Sequence, residues 1–270
     1  MQTITIDFHV PQGWHELSDK QLRYVYQLLA DDFATDDKSC QREQSQACLD
    51  YAECSRFCWE EIKTLCLLQW SGTKVIGRQD SGAYLLKRGK LLFEVTPLTL
   101  AELLPHLDWL ASLPTVPVRT SKINRQHALP ADFSEVPFET FIICDNLYQG
   151  YLQTQNDELL DQLGATLYGK AMTFKPYERI SIFYWFAALK DTFSRKFPDF
   201  FQPISADTGN LLGSSAPSVE DAMNAQIRAL TKGDITKEKE VLALDTHRAL
   251  TELNAQAREY KELNAKTQSK

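Results

Sequence analysis

A chain of 270 residues in which 43% of side chains are apolar and 11% aromatic holds enough material for a real core, which excludes wholesale disorder. Its formal net charge of −7 lacks the basic excess of a nucleic-acid binder and argues against DNA or RNA as the main partner. No apolar run reaches the roughly 18 residues a spanning helix needs, so no membrane segment is expected.

The first residues, MQTITIDFHV, have neither a basic start nor an apolar stretch before a cleavage site. They predict residence in the cytoplasm rather than export. Ile4, Ile6, Phe8 and Val10 alternate with polar residues, the pattern of a half-buried strand ended by Pro11. Ser18 with Gln21 makes a capping box and Leu17 with Leu22 a hydrophobic staple, opening a helix through Val25, Tyr26 and Leu29 to about 32. A polar loop at 35–45 is expected next. A long helix over about 46–69 then carries Leu49, Phe57, Ile62, Leu65 and Leu68 and stops at Gly72.

Between 73 and 95 the period changes from helical to alternating. The segment reads as strands with a tight turn at Arg88–Gly89, and the first strand is expected to pair with that hairpin. Thr99 with Glu102 makes a second capping box for a short helix that Pro105 bends or delays. Residues 113–137 form a long loop punctuated by four prolines, either functional or pinned across a surface. Helices follow at about 138–151 and 157–168, with a stop at Gly169.

The stretch 177–201, YERISIFYWFAALKDTFSRKFPDFF, is the most aromatic of the chain. Ile182, Phe183, Phe186, Leu189, Phe193 and Phe197 make one wide stripe, and Tyr184 and Trp185 lie off it, so this helix belongs inside a core. Residues 203–217 read as a linker rich in Ser, Gly and Ala. Beyond it lie two helices broken at Gly233, the first capped by Ser218 and carrying Met223, Ile227 and Leu230, the second starting near 237. In the second, Leu250, Leu253, Ala257 and Tyr260 hold a narrow seam of coiled-coil type, to be covered either by the chain's own body folding back on it or by a partner, a second copy or another protein.

The fold class expected is therefore α+β and predominantly α-helical. A helical body with a small antiparallel β-sheet occupies 1–202, a linker 203–217, and a C-terminal helical hairpin 218–270.

Motifs of chemistry are scarce. Residues 82–90, GAYLLKRGK, place six residues between Gly82 and Gly89, too many for a phosphate loop, and a hairpin explains them better. No GxGxxG, GxSxG or HExxH occurs, and His9, His15, His106, His127 and His247 are scattered. Cys40, Cys48, Cys54, Cys58 and Cys66 cluster, but their gaps are not those of metal-ligand pairs, so packed, reduced thiols are expected. No catalytic, cofactor or metal residue is assigned. A nucleophile at Cys144 served by His127 can be drawn from residue types alone, and the acid pairs Asp31–Asp32, Asp36–Asp37 and Glu60–Glu61 could do acid–base work but read as solvated charge.

The order of pieces, with Trp14 to Leu17 leading into a helix, FETFIICDNLYQGYL, the aromatic helix ending FPDFF, and the tail IRALTKGDITKEKEVLALDTHRALTELNAQAREY, resembles proteins of phage and prophage structural gene clusters, in the tail-assembly neighbourhood. The resemblance implies a non-enzymatic role as a tail-assembly chaperone or minor virion component. Its partners would be other phage structural or assembly proteins or a second copy of the chain. Its place would be the host cytoplasm or the virion. An intracellular enzyme with an active site of dispersed residues is the alternative.

Overall fold

The computed structural model describes residues 6–8, 10–39, 51–201, 227–231 and 233–268. The protein is α+β and predominantly helical, with a small three-stranded antiparallel sheet and a helical C-terminal region. It divides into two compact units, residues 1–114 with 176–181 and residues 115–175 with 182–270. The division falls at Pro114, not after 202, and the C-terminal helices belong to the second unit.

In the first unit the capping box closes as its residues dictate. Ser18 N donates to Gln21 Oε1 at 2.9 Å, and Gln21 N donates back to Ser18 Oγ at 3.4 Å. Helix α1 (Asp19–Ser39) follows and runs further than its apolar residues suggest, through part of the segment expected as loop. Its buried face is Leu22, Val25, Tyr26 and Leu29. Helix α2 (Tyr51–Trp70) ends at Gly72, whose positive φ of 63° lets Thr73 N reach back to Leu68 O.

Three tryptophans fasten this unit. Trp14 stacks on Tyr26 at 5.8 Å and meets Trp109 edge-on at 5.6 Å, and Trp70 stacks on Trp109 at 6.2 Å. Trp14 Nε1 donates to the carbonyls of Trp109 and Ser112, and Trp109 Nε1 to that of Pro11. Residues 6–8 and 10 are not in a strand, and the rest of the strand expected at 2–10 lies outside the described residues.

Strands β1 (Lys74–Arg78), β2 (Tyr84–Arg88) and β3 (Leu91–Val95) pair in the order β1-β2-β3, with the tight turn at Gly89–Lys90, one residue on from the expected Arg88–Gly89. Helix α3 (Pro97–Leu103) is capped by Thr96, not Thr99: Thr99 N donates to Thr96 Oγ1, because Pro97 suits the first helical position. At Leu104 it tightens into a 3-10 helix, Leu104–Ala111, with Pro105 in its first turn.

The second unit begins with a two-stranded ribbon, β4 (Lys122–Ile123) and β5 (Gln126–His127), turning through Asn124 and Arg125, both with positive φ. Helices α4 (Phe138–Thr154) and α5 (Asp157–Tyr168) follow, the latter capped by Asn156 and stopped by Gly169 at φ 69°. Helix α6 (Pro176–Lys196) carries the aromatic stretch, and from Ile182 it lies in this unit. Ile182, Trp185, Phe186, Leu189 and Phe193 are all buried, so the surface off the main stripe is covered too. Pro198 starts a separate short helix, α7 (Pro198–Phe201).

The linker at 203–217 and the cap at Ser218 lie outside the described residues. The chain resumes in a helix, α8 (227–231), broken at Gly233 where φ is 81°. The helix expected from 237 is two helices, α9 (Glu238–Leu242) and α10 (Thr246–Gln268). They part because Asp245 bridges to Pro137 and its carboxylate takes the amides of Glu135 and Arg248.

Candidate functional site

The seam predicted for a partner lies on α10, and the structure divides it. Leu250 and Leu253 are buried, with Ala249, in the same core as Phe138, Phe141, Phe193 and Phe197. They are sealed by their own unit and are not open to another chain. The physical reason is the FPDFF segment. Helix α7 docks on α10 through Asn254, whose buried side-chain oxygen accepts from Asp199 N at 2.8 Å and Phe200 N at 3.0 Å, capping α7. Asp199 in turn pairs with Arg258 and Lys261, each at 3.1 Å. Hydrogen bonds from Lys261 first, then Arg258, hold its carboxyl below the usual carboxylate range.

Past Asn254 the cover thins. Ala257 is half-buried, and Tyr260 and Leu263 are 67% and 63% exposed. At 100° per residue Tyr260 continues the stripe of Leu253 and Ala257. The apolar stripe of α10 therefore outruns the body that covers it.

The proline-punctuated loop, a second surface one would offer to a partner, is laced down over 129–138. Phe133 is buried, Trp185 Nε1 donates to Ala131 O at 2.8 Å, and Thr246 N and Oγ1 both donate to Val136 O. Phe138 N donates to Leu244 O at 2.8 Å. Nothing local signals these pairings, since their partners lie 54 to 110 positions apart.

At the edge of this lacing Asp132, Ser134, Lys196 and His247 converge. Lys196 Nζ lies 3.0 Å from His247 Nδ1 and can only donate, so Nδ1 accepts and Nε2–H donates to Asp132 O at 2.8 Å. Burial opposes ionisation of Asp132, yet hydrogen bonds from Ser134 N and Oγ and from its own backbone amide hold its carboxyl below the usual range. Both imidazole nitrogens are used, and the ring bonds a main-chain carbonyl rather than the carboxylate. The group is a staple between loop and helix.

Cys66 and Cys144 are free, buried thiols. Burial pushes Cys66 up to about 12, and burial with the Asp145 carboxylate raises Cys144 as well. Such a thiol stays protonated at neutral pH and makes a poor nucleophile. His127, its imagined base, is an exposed residue of β5. Among the described residues no group of three or more His, Cys, Asp or Glu is placed to hold a metal ion. No helix among them is long and apolar enough to cross a membrane.

The first unit holds a cleft of about 520 Å³. Leu65 and Leu68 of α2, Val75 of β1, Tyr84 of β2 and Leu100 of α3 line it, with Glu60 and Glu61 its charged lining residues. Strand register explains Val75. It lies in the row Val75–Leu86–Phe93, and Leu86 is fully buried, so this row faces inward. Val75 is nevertheless 51% exposed, because at the sheet edge the inner face opens into the cleft.

No protein-family model, curated protein or solved structure matches this chain.

Proposed function

We propose that the protein is a non-catalytic assembly or structural accessory protein of a phage or prophage, of tail-assembly type, that works by contact with other structural or assembly proteins in the host cytoplasm or in the particle. The observation that carries this reading is the apolar stripe of α10, which continues beyond its own body to Tyr260 and Leu263. A helix end of this kind is completed by laying its apolar side into a partner's groove. The working residues shift accordingly from Leu250 and Leu253 to Ala257, Tyr260 and Leu263. The competing reading, an enzyme built from dispersed residues, loses its named nucleophile with the burial of Cys144.

The test is a Tyr260→Asp, Leu263→Asp double variant, tagged and expressed from the native host genome beside the parent chain. Both positions are exposed, so the thermal midpoint should be unchanged, whereas structural-cluster proteins that co-purify with the parent should be lost from the variant. Co-purification that survives the double change would overturn the assignment of the surface. A parent chain that captures no structural protein would overturn the function.

A further inference from the structure

Among the described residues the sheet of the first unit ends at β1 with no strand beyond it, and the chemistry of that edge is selective. All five residues of β1 are exposed, whereas those of β3 on the other side are partly covered. Beyond β1 no further strand is paired among the described residues. Its outward backbone N–H and C=O groups are thus a template for another strand.

Three features decide which strand fits. Lys74 stands directly opposite Lys87 on the outer face, and neither makes an ion pair among the described residues. Like charges so placed repel, and a carboxylate beside them relieves that repulsion. On the inner face the edge opens into the apolar cleft beside Val75 and Leu65, with Glu60 and Glu61 among its walls, which turn acidic side chains away. Finally, the bulge between Val75 and Gly77 kinks the edge, which hinders its pairing with β1 of another copy. The edge is guarded against itself.

We propose that this edge of β1 binds an extended segment of another protein in which acidic residues alternate with apolar ones, adding it to the sheet as a fourth strand. The acidic side chains lie outward beside Lys74 and Lys87, and the apolar ones enter the cleft between α2 and α3. This surface belongs to the first unit and the α10 end to the second, so the two readings are tested by different variants and fail independently.

The probes are three labelled peptides and one nucleic acid: an eight-residue Asp-Val-Glu-Leu repeat, the same peptide with lysine at the acidic positions, an acidic peptide of the same charge without alternation, and single-stranded oligothymidine. Binding to the full chain is followed by fluorescence anisotropy, and strand addition by hydrogen exchange of the β1 amides. The alternating acidic peptide should bind at least about tenfold more tightly than the other three, a difference of about 1.4 kcal/mol, and should slow exchange in β1. A Lys74→Glu, Lys87→Glu variant should reverse the preference towards the lysine peptide. Both lysines are exposed, and the variant's thermal midpoint checks that it folds. Equal binding of the non-alternating peptide or of oligothymidine would reduce the site to a charged patch and overturn the proposal. So would failure of the alternating acidic peptide to bind, or binding that leaves β1 exchange unchanged.

Discussion

Gly164 shows how little room the second unit leaves. A Cβ at this position would stand 2.5 Å from Phe174 Cε2 and 2.6 Å from Ile182 Cδ1, nearer than atoms pack. Both neighbours are core residues with little freedom to retreat. Alanine in mid-helix normally gains up to about 1 kcal/mol over glycine, and overpacking costs about 1–3 kcal/mol. Gly164→Ala should therefore destabilise by up to about 2 kcal/mol, read as a lower denaturation midpoint; a stabilised variant would show that the α5–α6 contact yields easily. Single residues were legible where chemistry is local. Ser18 with Gln21, Gly72 and Gly169 all act as their side chains or their φ freedom dictate. The seam residues were not, because Leu250 looks the same in sequence whether a partner covers it or Phe193 and Phe197 do.

Whole elements followed the same rule. The hairpin turning at Gly89–Lys90, to within one residue, and helix α5 were readable, since a two-residue turn and a cap with a glycine stop are nearest-neighbour signals. The cap of α3 was misplaced because Thr99 satisfies the capping-box pattern, while Pro97 makes Thr96 the better start. The break between α9 and α10 was invisible because its cause, Pro137 and Val136, is distant in sequence. The docking of α7 on α10 makes a prediction at this scale. Asp199 is held charged to lower pH in the folded chain than when unfolded, so its ion pairs stabilise fully above its unfolded value near 3.9 and fade as pH falls through the lower folded value. Chemical denaturation between pH 5 and pH 2 should show the parent losing more stability than Asp199→Asn. Parallel curves for the two would mean the pairs with Arg258 and Lys261 carry no stability.

For the molecule as a whole, the patterning along the chain foretold a predominantly helical α+β protein with a small antiparallel sheet, and the structure has it, together with the two-stranded ribbon β4–β5, which was not foretold. The division into units was not foretold, because a Ser- and Gly-rich stretch looks like a boundary while helices on both sides of it build one core. A chain ending at 202 consequently loses Ala249, Leu250 and Leu253 from its interior. Burying each leucine is worth about 1.5–3 kcal/mol, against a typical total stability of about 5–15 kcal/mol. That fragment should lose cooperative unfolding and bind hydrophobic dye, whereas a chain ending after Lys261, which keeps both partners of Asp199, should melt close to the parent. A 1–202 fragment with the parent's melting profile would show that the core closes without α10.

The bonds from Thr246 to Val136 also set a timetable. At roughly 5–20 residues per second of synthesis, the 110 positions between them separate the birth of the two partners by on the order of 5–20 s. Throughout that interval the rings of Phe133, Phe138 and Phe141 emerge without their lid, longer than the microseconds in which a nascent chain collapses. The N-terminal half of the second unit is thus made before it can be finished, and a holdase that shields aromatic segments has its window there.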